Sequence, residues 1–242
     1  MSLQVFIADS LEGDTLSLDG PEGKHAVTVK RTAVGEHIKL VDANGAFAIC
    51  EVIELPAKDR LIARVLERGT EPLPKPSVTV FQAVPKSERS ELTVDLLTQA
   101  GVDVVVPWQA SRCVAKWQGA KRDKAVAKWE QAARAAAKQS RRARLPRIEQ
   151  PHSTQEVAAR LDAFDAVYVL HESATVGIKD CELGAAASLA LIIGPEGGIS
   201  PEELEAFSAR GALALKLGPE VLRTATAGMV ALAAIGMKTS RW

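Results

Sequence analysis

Leu189-Ala190-Leu191-Ile192-Ile193-Gly194-Pro195-Glu196-Gly197-Gly198-Ile199-Ser200-Pro201-Glu202-Glu203 decides the architecture of this 242-residue chain. The apolar, β-branched run at 189–193 reads as a strand buried on both faces. It stops in three glycines and a proline within five residues. Ser200, Pro201 and Glu203 then carry the signature of a helix start: N-cap, N1 proline and capping-box acid. A strand, a glycine turn and a helix N-terminus bring free backbone N–H groups close to a small polar ligand.

A second unit of the same kind follows. Residues 212–217 read as a strand, Gly218-Pro219 breaks it, and residues 221–230 lead into an alanine-rich apolar helix. Each strand thus ends in a Gly-Pro-Glu turn, at 194–196 and at 218–220. Either turn alone is explained by tight βα packing. The pair, with Arg223, Thr224 and Thr226 just beyond, predicts two walls of one pocket. Upstream, residues 78–84, 102–107 and 166–170 read as further strands, separated by a helix that Ser90 caps and Gly101 ends and by a long basic helix. Strands alternating with helices predict a parallel sheet covered on both faces, with ligands beyond the carboxyl ends of the strands. His171-Glu172 falls at the same end.

The first seventy residues read differently. Residues 27–31, 38–41, 46–53 and 61–66 are short β-rich runs, and Asn44-Gly45 is a hairpin turn signal. They predict a small β-barrel. Three prolines within residues 70–76 predict a stiff linker. The expected organisation is a β domain over 1–70, a linker over 71–76 and an α/β domain over 77–242.

Zero formal net charge hides an asymmetry. Residues 121–147 hold ten basic and two acidic residues, net +8, against 20 basic and 28 acidic elsewhere, net −8. A solvated helix face can carry such charge, but concentrated basic residues on an acidic background, with arginines dense at 141–147 and suited to phosphate forks, favour nucleic-acid contact. Cys50, Cys113 and Cys181 are isolated, and no metal-ligand spacing occurs, so no metal is expected. No apolar run reaches the ~20 residues of a membrane span, and the N-terminus lacks a secretory pattern. A cytoplasmic protein is expected. The dinucleotide fingerprint, the Walker loop and the nucleophile elbow are all missing.

Residues carry the reading further through a resemblance. Residues 25–31, 34–36, Asn44-Gly45, 86–91, 101–102, Pro107, 111–113, 139–142, 193–198, 217–219, 221–224 and 226–227 match, nearly end to end, a known pattern. The chain resembles the RsmE-type 16S ribosomal RNA uracil-N3 methyltransferases of the SPOUT (trefoil-knot) superfamily. One departure is Ala225, where many members carry an acid between the two threonines, so no acid or base acts from that position here. The resemblance implies a PUA-like β-barrel ahead of a knotted, parallel-sheet α/β methyltransferase domain. It also implies a homodimer, S-adenosylmethionine (SAM) as methyl donor, and 16S rRNA within the small ribosomal subunit as partner. The implied cofactor residues are Leu170, Ile193, Gly194, Pro195, Gly198, Leu217, Gly218, Leu222, Thr226 and Ala227. Arg223 is the implied stabiliser of a uracil anion and Glu196 the candidate base. Arg31, Lys86, Arg89, Arg112, Arg141 and Arg142 are the implied RNA contacts. Two alternatives stay open at this stage: a ribose 2′-O-methyltransferase of the same superfamily, and a non-enzymatic rRNA-binding assembly factor.

Overall fold

The computed structural model describes residues 3–184 and 186–242. Contacts divide the chain into two units: residues 1–73 with 137–145, and residues 74–136 with 146–242. The second segment of the first unit has no counterpart in the expected boundaries, since nothing in its composition separates it from the basic helix.

The first unit contains β1 (Gln4–Ile7), β2 (Thr15–Leu18), α1 (Gly20–Lys24), β3 (His37–Val41), β4 (Ala46–Ala57) and β5 (Arg60–Thr70). The strands form one sheet in the order β1-β3-β4-β5-β2, so β1 and β2 are its end strands. Only β1 and β3 run parallel. Alternate residues supply the core: Leu16 and Leu18, Ile38 and Leu40, Cys50 and Val52, Leu61 and Ala63 are all buried. The Asn44-Gly45 turn joins β3 to β4 as expected. Asp42 Oδ1 accepts from the amides of Asn44 (2.7 Å) and Ala46 (3.0 Å). The Arg144 guanidinium donates to the carbonyl oxygens of Asn44 and Glu71.

One expected strand does not form. Residues 27–31 were predicted extended; instead His25–Val29 is a π-helical turn that continues α1. Pro21 starts that helix, and its register buries Ala26 while leaving Val29 61% exposed. Thr28 Oγ1 donates to Lys58 O at 2.7 Å. Tertiary anchoring overrides the β-branched composition here.

The second unit contains β6 (Ser77–Ala83), α2 (Ser90–Gln99), β7 (Val104–Trp108), α3 (Ala120–Gln139), β8 (Arg147–Ile148) and α4 (Thr154–Arg160). It continues through β9 (Ala166–Leu170), β10 (Val176–Gly177), β11 (Ser188–Ile193), α5 (Pro201–Ser208), β12 (Leu213–Lys216) and α6 (Thr224–Lys238). The last three residues of α3 group with the first unit. Seven strands form a parallel sheet in the order β10-β12-β9-β11-β6-β7-β8. β11 is central and buried on both faces. Leu189, Leu191 and Ile193 join the layer of α2, α3 and α6 through Leu97, Trp129 and Ala231. Ala190 and Ile192 join the layer of α4 and α5 through Val157 and Phe207. This is the alternation that a continuous apolar strand serves.

Ser90 is not the cap of α2. A 3-10 turn at Ser87–Arg89 precedes the helix and Arg89 occupies the N-cap position. The Ser90 hydroxyl instead accepts from Trp129 Nε1 at 2.7 Å, satisfying a buried indole. Gly101, at φ +93°, does end the helix.

α6 crosses the sheet at Gly228, where a Cβ would lie 2.4 Å from Leu97 Cδ2 and 2.7 Å from Ile193 Cδ1. Both neighbours are buried core side chains. Gly228→Ala should therefore lower stability: overpacking costs about 1–3 kcal/mol, against a helix-propensity gain of about 1 kcal/mol. Chemical denaturation measures the net effect, and an unchanged midpoint would mean that this contact relaxes freely.

Candidate functional site

Strand order builds the site. β12, β9, β11 and β6 are consecutive neighbours in the sheet, so the segments leaving their carboxyl ends lie side by side. Together with the segment after β7 they enclose a cavity of about 850 Å³. Its lining comprises 86, 88 and 89 from the segment after β6, Arg112 after β7, 170–172 at the end of β9, and 193–199 with Pro201 after β11. Residues 215–225 and Ala227, from β12 into α6, complete it. A cleft of this size, lined by both apolar and charged residues, suits one small organic ligand.

Backbone shape dominates the walls. At Gly194 a Cβ would sit 2.7 Å from Ile199 Cγ1, so the turn closes only on glycine. At Gly197 a Cβ would press on Arg112, 3.1 Å from its Cβ and 3.3 Å from its carbonyl oxygen. Gly198 has φ +74° and donates its amide to Pro195 O at 2.9 Å. In the second turn, the amides of Val221 and Leu222 have no protein acceptor among the described residues. They remain available to a ligand.

Three side chains hold these segments in register. Glu196 Oε1 accepts from the amide of Lys86 at 3.2 Å, tying the β11 turn to the segment after β6. Arg112 Nη1 donates to Gly197 O at 3.2 Å. Glu203, only 4% exposed, does most. Its Oε2 accepts from the Ser200 amide (3.0 Å), the reciprocal half of the predicted capping box. Its Oε1 accepts from the Ser111 amide (2.8 Å) and from Thr154 Oγ1 (3.0 Å). One carboxylate thus joins the start of α5, the start of α4 and the loop that carries Arg112. The capping box was legible in sequence, but its second oxygen was not.

Charges around the cavity are mixed. Lys86, Arg89, Arg112, Lys216 and Arg223 face Glu88, Glu172, Glu196 and Glu220 along the lining. The site is therefore no simple anion trap. Cys113, next to Arg112, is buried, and burial pushes its thiol up to about 11. It is not a thiolate nucleophile near neutral pH. At the start of α5, hydrogen bonding from Ser200 holds the Glu202 carboxyl below its usual range. Among the described residues no group of three potential ligands suggests a metal.

Most of the expected site residues come together. Leu170, Ile193, Gly194, Pro195, Glu196, Gly198, Leu217, Gly218, Leu222, Arg223 and Ala227 line the cavity, as do Lys86, Arg89 and Arg112. Thr226 does not: its hydroxyl donates to Arg223 O at 3.1 Å and supports the first turn of α6. Arg31, Arg141 and Arg142 belong to the first unit. Ala225 also lines the cavity. His171 was noted in the sequence only for its place at a strand end, and Glu220 only as the third residue of the second Gly-Pro-Glu turn; Lys216 had no motif to flag it.

Comparison with known proteins defines the class. Residues 71–236 match the RNA methyltransferase domain family, and residues 18–66 match the RNA methyltransferase PUA domain family. This chain belongs to the RNA methyltransferase family. A ribosomal RNA small subunit methyltransferase E from Mycobacterium bovis is 49% identical, covering 100% of this chain and 94% of that protein. The protein of the same name from Bacillus subtilis is 32% identical, covering 94% and 92%. A methyltransferase from Legionella pneumophila, solved with bound SAM, superposes with a TM-score of 0.88 at 26% identity, covering 99% of each chain.

Glu203→Ala should destabilise the fold by about 1–3 kcal/mol, because buried donors lose their acceptor. A lowered midpoint in urea is the expected result. An unchanged one would show that water replaces the carboxylate without cost.

Proposed function

We propose that this protein methylates N3 of a uridine in 16S ribosomal RNA of the small subunit, with SAM as donor. The observation that carries the reading is the convergence of the turns after β9, β11 and β12 on one cavity, in a chain of the RNA methyltransferase family. The residues fit the cofactor. Leu170, Ile193, Leu217 and Leu222 offer an apolar slot for a base. Gly194, Pro195, Gly198, Gly218 and Ala227 let backbone approach it, and unpaired amides at Val221 and Leu222 supply donors. Thr226 serves by holding Arg223 rather than by contact. The return of α6 onto β11, after β12 has passed to the far side of β9, is the path that the expected trefoil knot requires.

Bound SAM supplies an electrophilic methyl group on a sulfonium. Uracil N3 attacks as its proton leaves, and the S–CH₃ bond breaks as the N–CH₃ bond forms. In-line placement is the main requirement. Arg223, at the N-cap of α6, stabilises the negative charge spread over the uracil ring. Glu196 is the base, acting through Oε2, since Oε1 holds the Lys86 amide. Because N3 lies on the pairing edge, the target uridine enters unpaired. Ribose methylation and a purely structural role in assembly are the outcomes that the product analysis below separates.

RNA contact is assigned to Lys86, Arg89 and Arg112 at the cavity and to Arg31, Arg141 and Arg142 in the first unit. Arg31 and Arg141 adopt left-handed φ of 56° and 62°, positions that glycine fills at lower cost. Both side chains are exposed. Arginine there, against backbone preference, supports a ligand-binding role. A second copy of the chain is the proposed partner of α6, whose exposed Met229, Val230 and Met237 follow one stripe. No helix among the described residues is long and apolar enough to cross a membrane, in keeping with action on ribosomal subunits in the cytoplasm.

Two measurements test the reading. With methyl-labelled SAM and small subunits lacking the modification, label should appear in N3-methyluridine. Label in a ribose-methylated nucleoside overturns the reaction, and no label overturns the enzyme. In this assay Arg223→Ala and Glu196→Gln should each lower kcat by about 10²-fold or more. Glutamine keeps the acceptor for Lys86, so an unchanged rate would reduce Glu196 to a strap. Separately, Arg31→Gly and Arg141→Gly should fold at least as stably as the parent yet bind RNA more weakly. Each should flatten the salt dependence by about one phosphate contact. Unchanged RNA affinity would remove these arginines from the interface.

A further inference from the structure

His171 follows β9 directly and lines the cavity beside Leu170 and Leu215. Its backbone is pinned: the amide donates to Leu215 O at 2.9 Å, and its carbonyl accepts from Ala174 at 3.2 Å. The ring is pinned as well. The Ser173 amide donates to His171 Nδ1 at 3.3 Å, and the Ser173 hydroxyl lies 2.8 Å from the same nitrogen. A backbone N–H only donates, so Nδ1 holds a lone pair there. In the neutral ring the proton then sits on Nε2. Nε2 has no hydrogen-bond partner among the described residues. It is the one polar atom of the ring left for a ligand.

We propose that His171 is a hydrogen-bond donor of this cavity, giving Nε2–H to a charged or charge-gathering oxygen. The proposal rests on the methyltransferase reading above and deepens it. Two oxygens have the required chemistry: the carboxylate of SAM and a uracil carbonyl flanking N3, which gains negative charge as the N3 proton leaves. The fixed tautomer makes His171 unsuited to be the base, because the nitrogen with the lone pair is already covered by Ser173.

The test uses the full chain and two variants. Glutamine places an amide N–H near the position of Nε2, whereas alanine removes it. Long-range ¹⁵N–¹H NMR of the free protein should show the Nε2–H tautomer for His171, and the Nδ1–H form overturns the proposal. Calorimetry with SAM and with decarboxylated SAM, and single-turnover rates on unmodified subunits at saturating SAM, read the ligand. If the carboxylate is the partner, His171→Ala weakens SAM about tenfold and leaves decarboxylated SAM unchanged. If the uracil oxygen is the partner, SAM affinity holds and the saturated rate falls about tenfold. In either case His171→Gln recovers most of the loss. Equal weakening of both cofactor forms without rescue by glutamine, or values within twofold of the parent throughout, overturns the proposal. A parent protein that binds SAM but leaves rRNA unlabelled overturns the proposed substrate and leaves the carboxylate arm decisive for His171. A parent that does not bind SAM overturns both.

Discussion

The seating of β12 against β9, rather than against β11, is the constraint from which the site follows. A parallel sheet places all its strand ends on one side, but it does not say which ends are neighbours. Because β12 pairs with β9 through Leu213–Tyr168, Ala214–Val169 and Leu215–Leu170, the turn at 218–220 emerges beside the end of β9. Because β11 pairs with the other edge of β9, the turn at 194–196 emerges there too. β9 is thus flanked by both glycine turns, and its last residue, Leu170, with His171 just after it, lies between them. The chain then has to return as α6 onto β11, and Gly228 is where it fits.

That geometry needs a stiff floor, which hydrogen bonds beside the glycine turns supply. Glu203 receives hydrogen bonds from the amides of Ser111 and Ser200 and from the Thr154 hydroxyl, and that hydroxyl also accepts from Trp108 Nε1 at 3.1 Å. A buried carboxylate without a cation is tolerable only when its lone pairs are so occupied. The arrangement fixes the loop bearing Arg112, and Arg112 in turn lies across Gly197. Chemistry-bearing residues are therefore placed through two layers of support, and the glycines remain small so that the supporting side chains can lie against them.

Much of this was legible in the sequence. The run at 189–203 announced its strand, turn and capped helix, because apolar patterning, glycine content and the Ser200–Glu203 spacing all agree locally. Gly194, Gly198, Gly218 and Arg223 could be singled out because two similar turns recur. What stayed hidden was set by tertiary partners. Val27, Thr28 and Val29 are β-branched and still fall in a π-helical turn over His25–Val29, since Thr28 is held by Lys58. Ser90 reads as a cap and is spent on the indole of Trp129. Thr226, expected against the cofactor, faces its own helix turn. The tautomer of His171 depends on a neighbour two residues away and has no compositional trace.

Charge shows the same difference between composition and use. The net +8 of residues 121–147 suggested an element for nucleic-acid contact, yet several of these cations have protein partners. Lys138 pairs with Glu22 at 2.8 Å with both side chains mostly buried. Arg144 clamps the Asn44-Gly45 turn. Arg147 pairs with Glu149 at 2.8 Å, and Arg122 with Asp123 at 3.3 Å. Exposed pairs of this kind are worth little, about 0–1 kcal/mol, and a phosphate easily displaces them. The partly buried Lys138 pair and the Arg144 clamp are different, because releasing them would loosen the first unit itself. Backbone conformation therefore separates the basic residues better than their density does. An arginine at a left-handed position, as at 31 and 141, sits where a glycine costs less, and neither side chain has a hydrogen-bond or ion-pair partner among the described residues.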